Sequence, residues 1–245
     1  MNRSFGPALL VVSLALAACQ SPDPPVAPAR ASVQASVPAS PVVSPAPVKP
    51  KVSKKTLDYF LKIALGSEYG DKARLVSRWS QPVVLVHVNG TVGAAGRKCL
   101  NRVIADFNKL TATTDLRLAS APAGDIEVHF APVSRFRSIE PEYVSGNDGF
   151  FATNWHNHVI TDATVLVRTS GIAGPVRCHI IREELAQSMG LMRDADDYPD
   201  SVFYGRYSAP TRYSTLDKEL IKLLYGGAIK PGYGRKDVIK AVTVA

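Results

Sequence analysis

No apolar run in this sequence is as long as the roughly 20 residues that a transmembrane helix requires. The apolar stretch near its start, residues 6–16 (GPALLVVSLAL), is shorter and follows Arg3, the single charge before it. Small residues at positions 17 and 18 close this stretch. A positive start, a short apolar segment and a small-residue end are typical of a secretory signal peptide. We therefore predict that residues 1–18 direct export of the chain and are then removed.

Cysteine is scarce: the chain has three, and Cys19 directly follows the predicted signal peptide. The run Leu-Ala-Ala-Cys that ends at Cys19 resembles the bacterial lipobox, in which the thiol is acylated and becomes the mature N-terminus. The alternative is an ordinary signal peptide that is cut nearby, in which case Cys19 has no special role. Each buried CH₂ group of an acyl chain contributes about 0.8 kcal/mol, so we expect Cys19 to anchor the chain at a membrane. Gln20 stands where inner-membrane lipoproteins of Gram-negative bacteria usually have Asp, which implies the outer membrane, facing the periplasm.

The two other cysteines, Cys99 and Cys178, form an even pair in a chain that we expect to be exported. In an oxidising compartment an even pair favours a disulfide. We therefore predict a bond between Cys99 and Cys178, with two buried free thiols as the alternative.

Aromatic residues are absent between positions 20 and 51, where Pro, Ala, Ser and Val predominate. A segment of this composition does not bury enough apolar area to offset the entropy lost on ordering. We therefore predict a disordered tether over residues 19–52. The remaining residues, 53–245, are enough for one well-cored globular domain.

The chain also lacks a dense basic run, although its formal net charge is +8. An exported protein does not meet nucleic acid, so we exclude that partner. Scattered basic side chains favour a weak attraction to anionic lipid, lipopolysaccharide or cell-wall polymer. A merely solvated surface is the alternative.

Apolar spacing of three and four residues predicts helices, and alternating or β-branched runs predict strands. The predicted helices cover residues 55–65, 96–110, 180–189 and 214–225. The predicted strands cover residues 82–88, 125–130, 149–154 and 159–169. Ser214 is the expected N-cap of the last helix, with Asp217 as a capping-box partner. This order predicts an α/β or α+β fold with a mixed sheet of about four or five strands.

Residues 177–194 (RCHIIREELAQSMGLMRD) cover most of the predicted third helix and the turn after it. Their frame resembles the metzincin motif His-Glu-x-x-His-x-x-Gly-x-x-His, in which histidines bind zinc and the glutamate polarises a water. Glu184 matches that glutamate, the general base, and Gly190 matches the turn. The positions of the three histidines hold Glu183, Gln187 and Arg193.

These replacements argue against a zinc site. Glutamine is a weak metal ligand and arginine a permanent cation, so we expect neither zinc nor another cofactor. Instead we predict that Arg193 takes the place of the metal and pairs with Glu183 or Glu184. Other candidate ligands are His179, His156 with His158, and the oxygen donors Asp194, Asp196 and Asp197. The alternative for His179 is a capping or packing role, and the alternative for His156 and His158 is a hairpin turn. For the three aspartates the alternative is a solvated loop.

A second pattern, Ser-x-x-Asp-x-x-x-Ile-x-x-Leu-Tyr-Gly, begins at Ser214. Some metzincin-like catalytic domains carry this pattern near their end. The runs Arg-Glu-Glu-Leu-x-Gln-x-x-Gly-Leu, Tyr-Pro-Asp-Ser-Val-Phe and Leu-Leu-Tyr…Pro-Gly resemble an uncharacterised bacterial family, domain of unknown function 2927. The resemblance covers residues 83–232 and is strongest over residues 177–232. It implies a zincin-like fold with an active-site-type helix and a C-terminal helix, and it implies no established reaction.

Three functions fit these observations. The first is a non-catalytic module that binds a peptide or a wall fragment; the second is a hydrolase with Glu184 as general base. The third is a structural envelope lipoprotein whose basic surface contacts lipopolysaccharide or peptidoglycan. We favour the first, because Glu184 and Gly190 keep the frame of a groove while the zinc ligands are gone. Tyrosines after the helix suit either a groove or a packed loop: Tyr198, Tyr204, Tyr207, Tyr213 and Tyr225.

Overall fold

The computed structural model of the chain describes residues 49–67 and 74–245. The predicted signal peptide, Cys19 and most of the predicted tether lie outside these residues, so their predictions stay predictions. Among the helices of the described part, none is long and apolar enough to cross a membrane.

The described residues form six α-helices and seven strands. The helices are α1 (Lys54–Ile63), α2 (Gly93–Asn108), α3 (Phe136–Ile139), α4 (Gly174–Gln187), α5 (Thr215–Tyr225) and α6 (Arg235–Ala241), with a 3₁₀ turn at Val133–Arg135. The strands are β1 (Lys51–Val52), β2 (Val83–Asn89), β3 (Asp115–Leu118), β4 (Ile126–Ala131), β5 (Gly149–His156), β6 (Val159–Arg168) and β7 (Thr243–Val244).

Five of these strands form the central sheet, in the order β3-β2-β4-β6-β5. The β2, β3, β4 and β6 strands run parallel, and β5 is antiparallel to β6. The predicted α/β class and mixed sheet are therefore confirmed. The β3 strand was not predicted, because its four residues (DLRL) are too few to show a clear alternation.

The main core lies between the sheet and the helices. Along β6, Val165 and Val167 belong to this core, whereas Leu166 faces the other side of the sheet and joins a small cluster with Phe136 and Phe150. This alternation follows from the two-residue period of a strand. Both faces of β6 are thus covered at residues 165–167.

The predicted disulfide is confirmed. Cys99 on α2 and Cys178 on α4 are bonded, with their Cα atoms 5.7 Å apart. Cys99 lies on the predicted apolar face of α2, together with Leu100, Val103 and Phe107, all of which are buried. The bond therefore joins two neighbouring helices across buried surface.

Helix α4 begins at Gly174, six residues before its predicted start. Nine of its residues are buried, including the polar His179, Arg182, Glu184 and Gln187. A helix that is enclosed on most sides shows no single apolar stripe. The three-and-four spacing used for the prediction therefore missed its first turns, where Pro175 stands at a position that proline favours.

The start of α5 was predicted correctly. Ser214 is its N-cap, and Asp217 completes a capping box with the Ser214 backbone. The buried Asp217 carboxylate also accepts hydrogen bonds from the Ser201 hydroxyl at 2.6 Å and the Val202 amide at 3.1 Å. One carboxylate thus joins the start of α5 to the irregular segment that follows α4.

A second, two-stranded sheet joins the two ends of the described domain. Lys51 of β1 pairs with Thr243 of β7, and Val52 pairs with Val244, in parallel register. Pro50 and Val52, which we predicted as part of the tether, thus accept hydrogen bonds from the C-terminal residues.

Candidate functional site

An open cleft of about 440 Å³ lies along α4. One wall is formed by residues 146–151, at the start of β5, and another by residues 205–208. The α4 side chains and Asp194 also line it. The cleft therefore contains five of the candidate site residues that the sequence indicated: His179, Glu183, Glu184, Gln187 and Asp194.

Three of these side chains share one face of α4. His179, Glu183 and Gln187 are four residues apart, which places them above one another on a helix. All three line the cleft. His179 and Gln187 are buried, so they form the base of the cleft rather than its rim.

His179 is held between two acceptors. Its Nε2 atom is 3.2 Å from a carboxylate oxygen of Glu183, and its Nδ1 atom is 3.1 Å from the carbonyl oxygen of Pro210. Burial alone would lower the pKa of His179, but the hydrogen bond and charge of Glu183, with the Pro210 carbonyl, outweigh burial and raise that pKa. The geometry therefore favours an imidazolium paired with Glu183.

Gln187 is held by Asp194, whose carboxylate accepts a hydrogen bond of 2.7 Å from the Gln187 amide. The chain reaches Asp194 through a tight turn at Gly190, whose φ is +109°. A Cβ atom at position 190 would collide with the carbonyl oxygen of Ser77. Glycine is thus required there for both its backbone angle and its lack of a side chain.

Glu184 lies on the adjacent face of α4 and is 8% exposed. Its side chain packs against Gly149, where an added Cβ atom would collide with the Glu184 carboxylate. The carboxylate is therefore held directly beside the first residue of β5. This places the predicted general base in the cleft, which it lines.

Arg193 does not take the place that we predicted for it. Arg193 is not among the residues lining the cleft. No ion pair joins it to Glu183 or Glu184 in the described part of the chain, and Glu183 pairs with His179 instead. The physical reason is the turn at Gly190, after which the Arg193 amide donates a hydrogen bond of 3.1 Å to the carbonyl oxygen of Ile63 on α1.

The other candidate metal ligands are dispersed. Within residues 49–67 and 74–245, no group of three or more His, Cys, Asp or Glu side chains is placed to hold a metal ion. His156 ends β5, and His158 lies in the hairpin turn with a φ of +62°. Asp196 pairs with Arg206 and Asp197 with Lys62. The alternative interpretations therefore apply: a hairpin turn for His156 and His158, and a solvated loop for Asp196 and Asp197.

Sequence reasoning missed the two walls of the cleft. Residues 146–149 (GNDG) and 205–208 (GRYS) are polar, glycine-containing loops without a periodic pattern. Tyr207 is 87% exposed at the cleft, whereas Tyr213 and Tyr225 are buried. Tyr207 thus lines the groove, whereas Tyr213 and Tyr225 pack in the interior. Their crowding was the one signal available in the sequence.

The comparisons with known proteins agree with the sequence patterns. A family model described as "Protein of unknown function (DUF2927)" matches residues 53–244. This chain belongs to that family. The match covers the sheet, the cleft and the C-terminal helices, so the family resemblance that we stated from residues 83–232 is confirmed and extended. The family description assigns no activity.

Two solved structures of myroilysin are similar to this chain at low identity. One is 9% identical with a TM-score of 0.42, covering 61% of this chain and 95% of the other. The second is 8% identical with the same TM-score, covering 73% of this chain and 98% of the other. Among curated proteins, no significant sequence match is found.

The pair of His179 and Glu183 predicts a pH dependence of stability. Because the folded pKa of His179 is raised above its ordinary value of 6.5, the protonated histidine stabilises the fold fully below about pH 6.5. This contribution is lost as the pH rises through the folded pKa. Urea unfolding across this range checks it: the His179→Gln variant is expected to lose this part of the pH dependence. The exposed His156→Gln variant is the control and should keep it; an unchanged slope in His179→Gln contradicts the assignment.

Proposed function

We propose that this domain is a binding module of the bacterial envelope, anchored to the outer membrane through acylated Cys19. In this proposal the cleft along α4 holds an extended peptide, free or as part of a wall fragment, without cleaving it. The observation that carries the proposal is that the side chains at two of the three metal-ligand positions of the motif, Glu183 and Gln187, bind other protein groups.

The hydrogen bonds in the cleft support a non-catalytic role. Glu183 pairs with His179 at 3.2 Å, and the Gln187 amide donates to Asp194 at 2.7 Å. A zinc ion at the motif positions would have to displace both partners, and of the residues at those three positions only Glu183 supplies a strong ligand. The same bonds fix the side chains of α4, so the base of the cleft is rigid before a ligand arrives.

The position of β5 supports an extended ligand. The β5 strand is the last strand of the described sheet on the cleft side, and it pairs with β6 alone. The Arg168 amide donates to the Asp148 carbonyl at 3.0 Å, and bonded pairs alternate along an antiparallel ladder. The backbone groups of Gly149, Phe151 and Thr153 therefore point away from β6. An extended peptide that adds to this edge would find a row of donors and acceptors.

A hydrolase is the second candidate, and the position of Glu184 favours it. Its carboxylate lies in the cleft beside Gly149, where the backbone of a bound peptide would pass. In that case Glu184 would act as the general base for attack of a water on the peptide.

The test combines binding and cleavage. A peptide library is offered to the parent chain and to Glu184→Gln, with Glu219→Gln on α5 as a control for loss of one carboxylate. A binding module leaves every peptide intact in all three proteins. Cleavage by the parent that disappears in Glu184→Gln alone would establish the hydrolase and refute the binding module.

A backbone variant tests the edge of β5. Phe151→Pro removes one outward N–H group and leaves the ladder with β6 in place, whereas Phe151→Leu keeps that group and an apolar side chain. Peptide affinity should fall about fivefold or more in Phe151→Pro relative to Phe151→Leu, as the loss of one hydrogen bond predicts. Equal affinities of the two variants would contradict strand addition.

A further inference from the structure

A second cavity lies apart from the cleft, between α2, α5 and the loop before α5. Its volume is about 510 Å³, and its lining includes Arg102 and Lys109 of α2, Arg212 of the loop, and Lys218 of α5. All four of these side chains belong to exposed residues. The cavity shares no lining residue with the cleft along α4.

The four cations form no ion pair within the described chain. None of Arg102, Lys109, Arg212 or Lys218 takes part in an ion pair there, while eight other basic side chains do. Like charges around one concave surface repel each other, and the low-dielectric walls focus their field. An anion placed in the cavity would relieve this repulsion.

The carboxylate of Asp106 also lines the cavity, but its charge is already offset from below. Arg182, which is fully buried, donates to Asp106 at 2.9 Å and stacks on the Tyr213 ring at 4.5 Å. The Nε and Nη1 atoms of Arg182 and the hydroxyl of Tyr213 have no hydrogen-bond partner in the described residues. Arg182 therefore adds a buried positive charge beneath the cavity, and Asp106 neutralises only that charge.

A neighbouring hollow shares Arg102 with the cavity. Its volume is about 370 Å³, and its walls include Ala95, Pro175, Ile181 and the Cys99–Cys178 bond, with Lys98 and Arg177 also contributing. Small and apolar groups thus lie directly beside the basic cavity. This combination suits a ligand that carries an anionic group next to an apolar one.

We propose that Arg102, Lys109, Arg212 and Lys218 form a binding site for a phosphate group carried on an ester. The two arginines suit this ligand because a guanidinium donates two parallel hydrogen bonds to phosphate oxygens. The phosphate group belongs either to a soluble phosphoester or to a lipid headgroup whose apolar part enters the adjacent hollow. This site is independent of peptide binding along β5.

Calorimetric titration of the full chain tests the site with two probes, inorganic phosphate and a soluble short-chain phosphatidic acid. The site variant is Arg102→Gln/Arg212→Gln. The control, Arg135→Gln/Arg235→Gln, removes the same charge from exposed arginines elsewhere. We expect saturable binding that is weakened about tenfold or more in the site variant, since each lost charge-assisted hydrogen bond has roughly this effect. The control should bind like the parent.

The two probes separate the sources of the phosphate group. Equal affinity for both identifies the phosphate group alone as the ligand, and tighter binding of the lipid shows that the apolar hollow contributes. Either result supports the site. Equal weakening in the site and control variants would mean general charge attraction and would overturn the proposal, as would the absence of saturable binding to both probes.

Discussion

Replacing Arg78 with methionine is expected to lower the free energy of unfolding by about 4 kcal/mol, because buried carbonyl groups would lose their hydrogen-bond donor. Arg78 is 5% exposed. Its Nη1 atom donates to the carbonyl oxygens of Leu224 at 2.6 Å and Ile229 at 2.9 Å. Its Nη2 atom donates to the Thr113 hydroxyl at 2.9 Å, and its guanidinium stacks on the Tyr225 ring at 4.4 Å.

The size of this effect follows from what methionine leaves behind. The carbonyl groups of Leu224, in the last turn of α5, and of Ile229, in the segment after it, would stay buried without a donor, and each such group costs about 1–3 kcal/mol. Chemical denaturation measures the change. Arg78→Lys keeps the charge and loses the planar fork, so its stability should lie between those of the parent and Arg78→Met. Arg235→Met, the same exchange at an exposed position on α6, should be nearly neutral; equal effects at positions 78 and 235 would refute this role of Arg78.

Loss of the disulfide is expected to have a comparable effect. Cys99 and Cys178 are separated by 79 positions in sequence, and closing a loop of this length stabilises a fold by about 4 kcal/mol in the chain-entropy model. The double variant Cys99→Ala/Cys178→Ala removes the bond without leaving a thiol in the interface of α2 and α4. We expect its thermal and urea midpoints to fall well below those of the oxidised parent.

Reduction provides the internal control for this second prediction. A reductant should shift the parent toward the double variant and leave the double variant unchanged. If the parent unfolds at the same urea concentration with and without reductant, the bond contributes nothing to stability, and packing between α2 and α4 is sufficient. Labelling of free thiols in the same samples confirms that reduction took place.

The fold was predictable where one face of an element meets the core. The apolar face of α2, the Val-rich β2 and the capping box at Ser214 each leave a local pattern that needs no knowledge of the rest of the chain. The first turns of α4 escaped prediction because burial on most sides removes the periodicity. The pairing of β1 with β7 escaped it because two-residue strands depend on a partner distant in sequence.

The candidate site was also predictable only in part: the grouping on α4 was, and the positions of Arg193 and of the cleft walls were not. Spacing on one helix correctly grouped His179, Glu183 and Gln187, because the helical repeat is fixed. The prediction for Arg193 was wrong because the direction of the chain after Gly190 depends on contacts with α1 and with Ser77. The walls of the cleft include two loops, and nothing local in their sequences indicates that both line the same cleft.

The parallel pairing of β1 with β7 has a consequence for how this domain is delimited. The Thr243 amide donates to the Pro50 carbonyl and the Ala245 amide to the Val52 carbonyl, each at 2.9 Å, so the two ends of the described domain meet. A fragment trimmed to the family boundaries, residues 53–244, would lack β1 and leave the last strand unpaired. Conversely, a short linker could join the two ends, and the domain is suited to circular permutation with new termini in a surface turn.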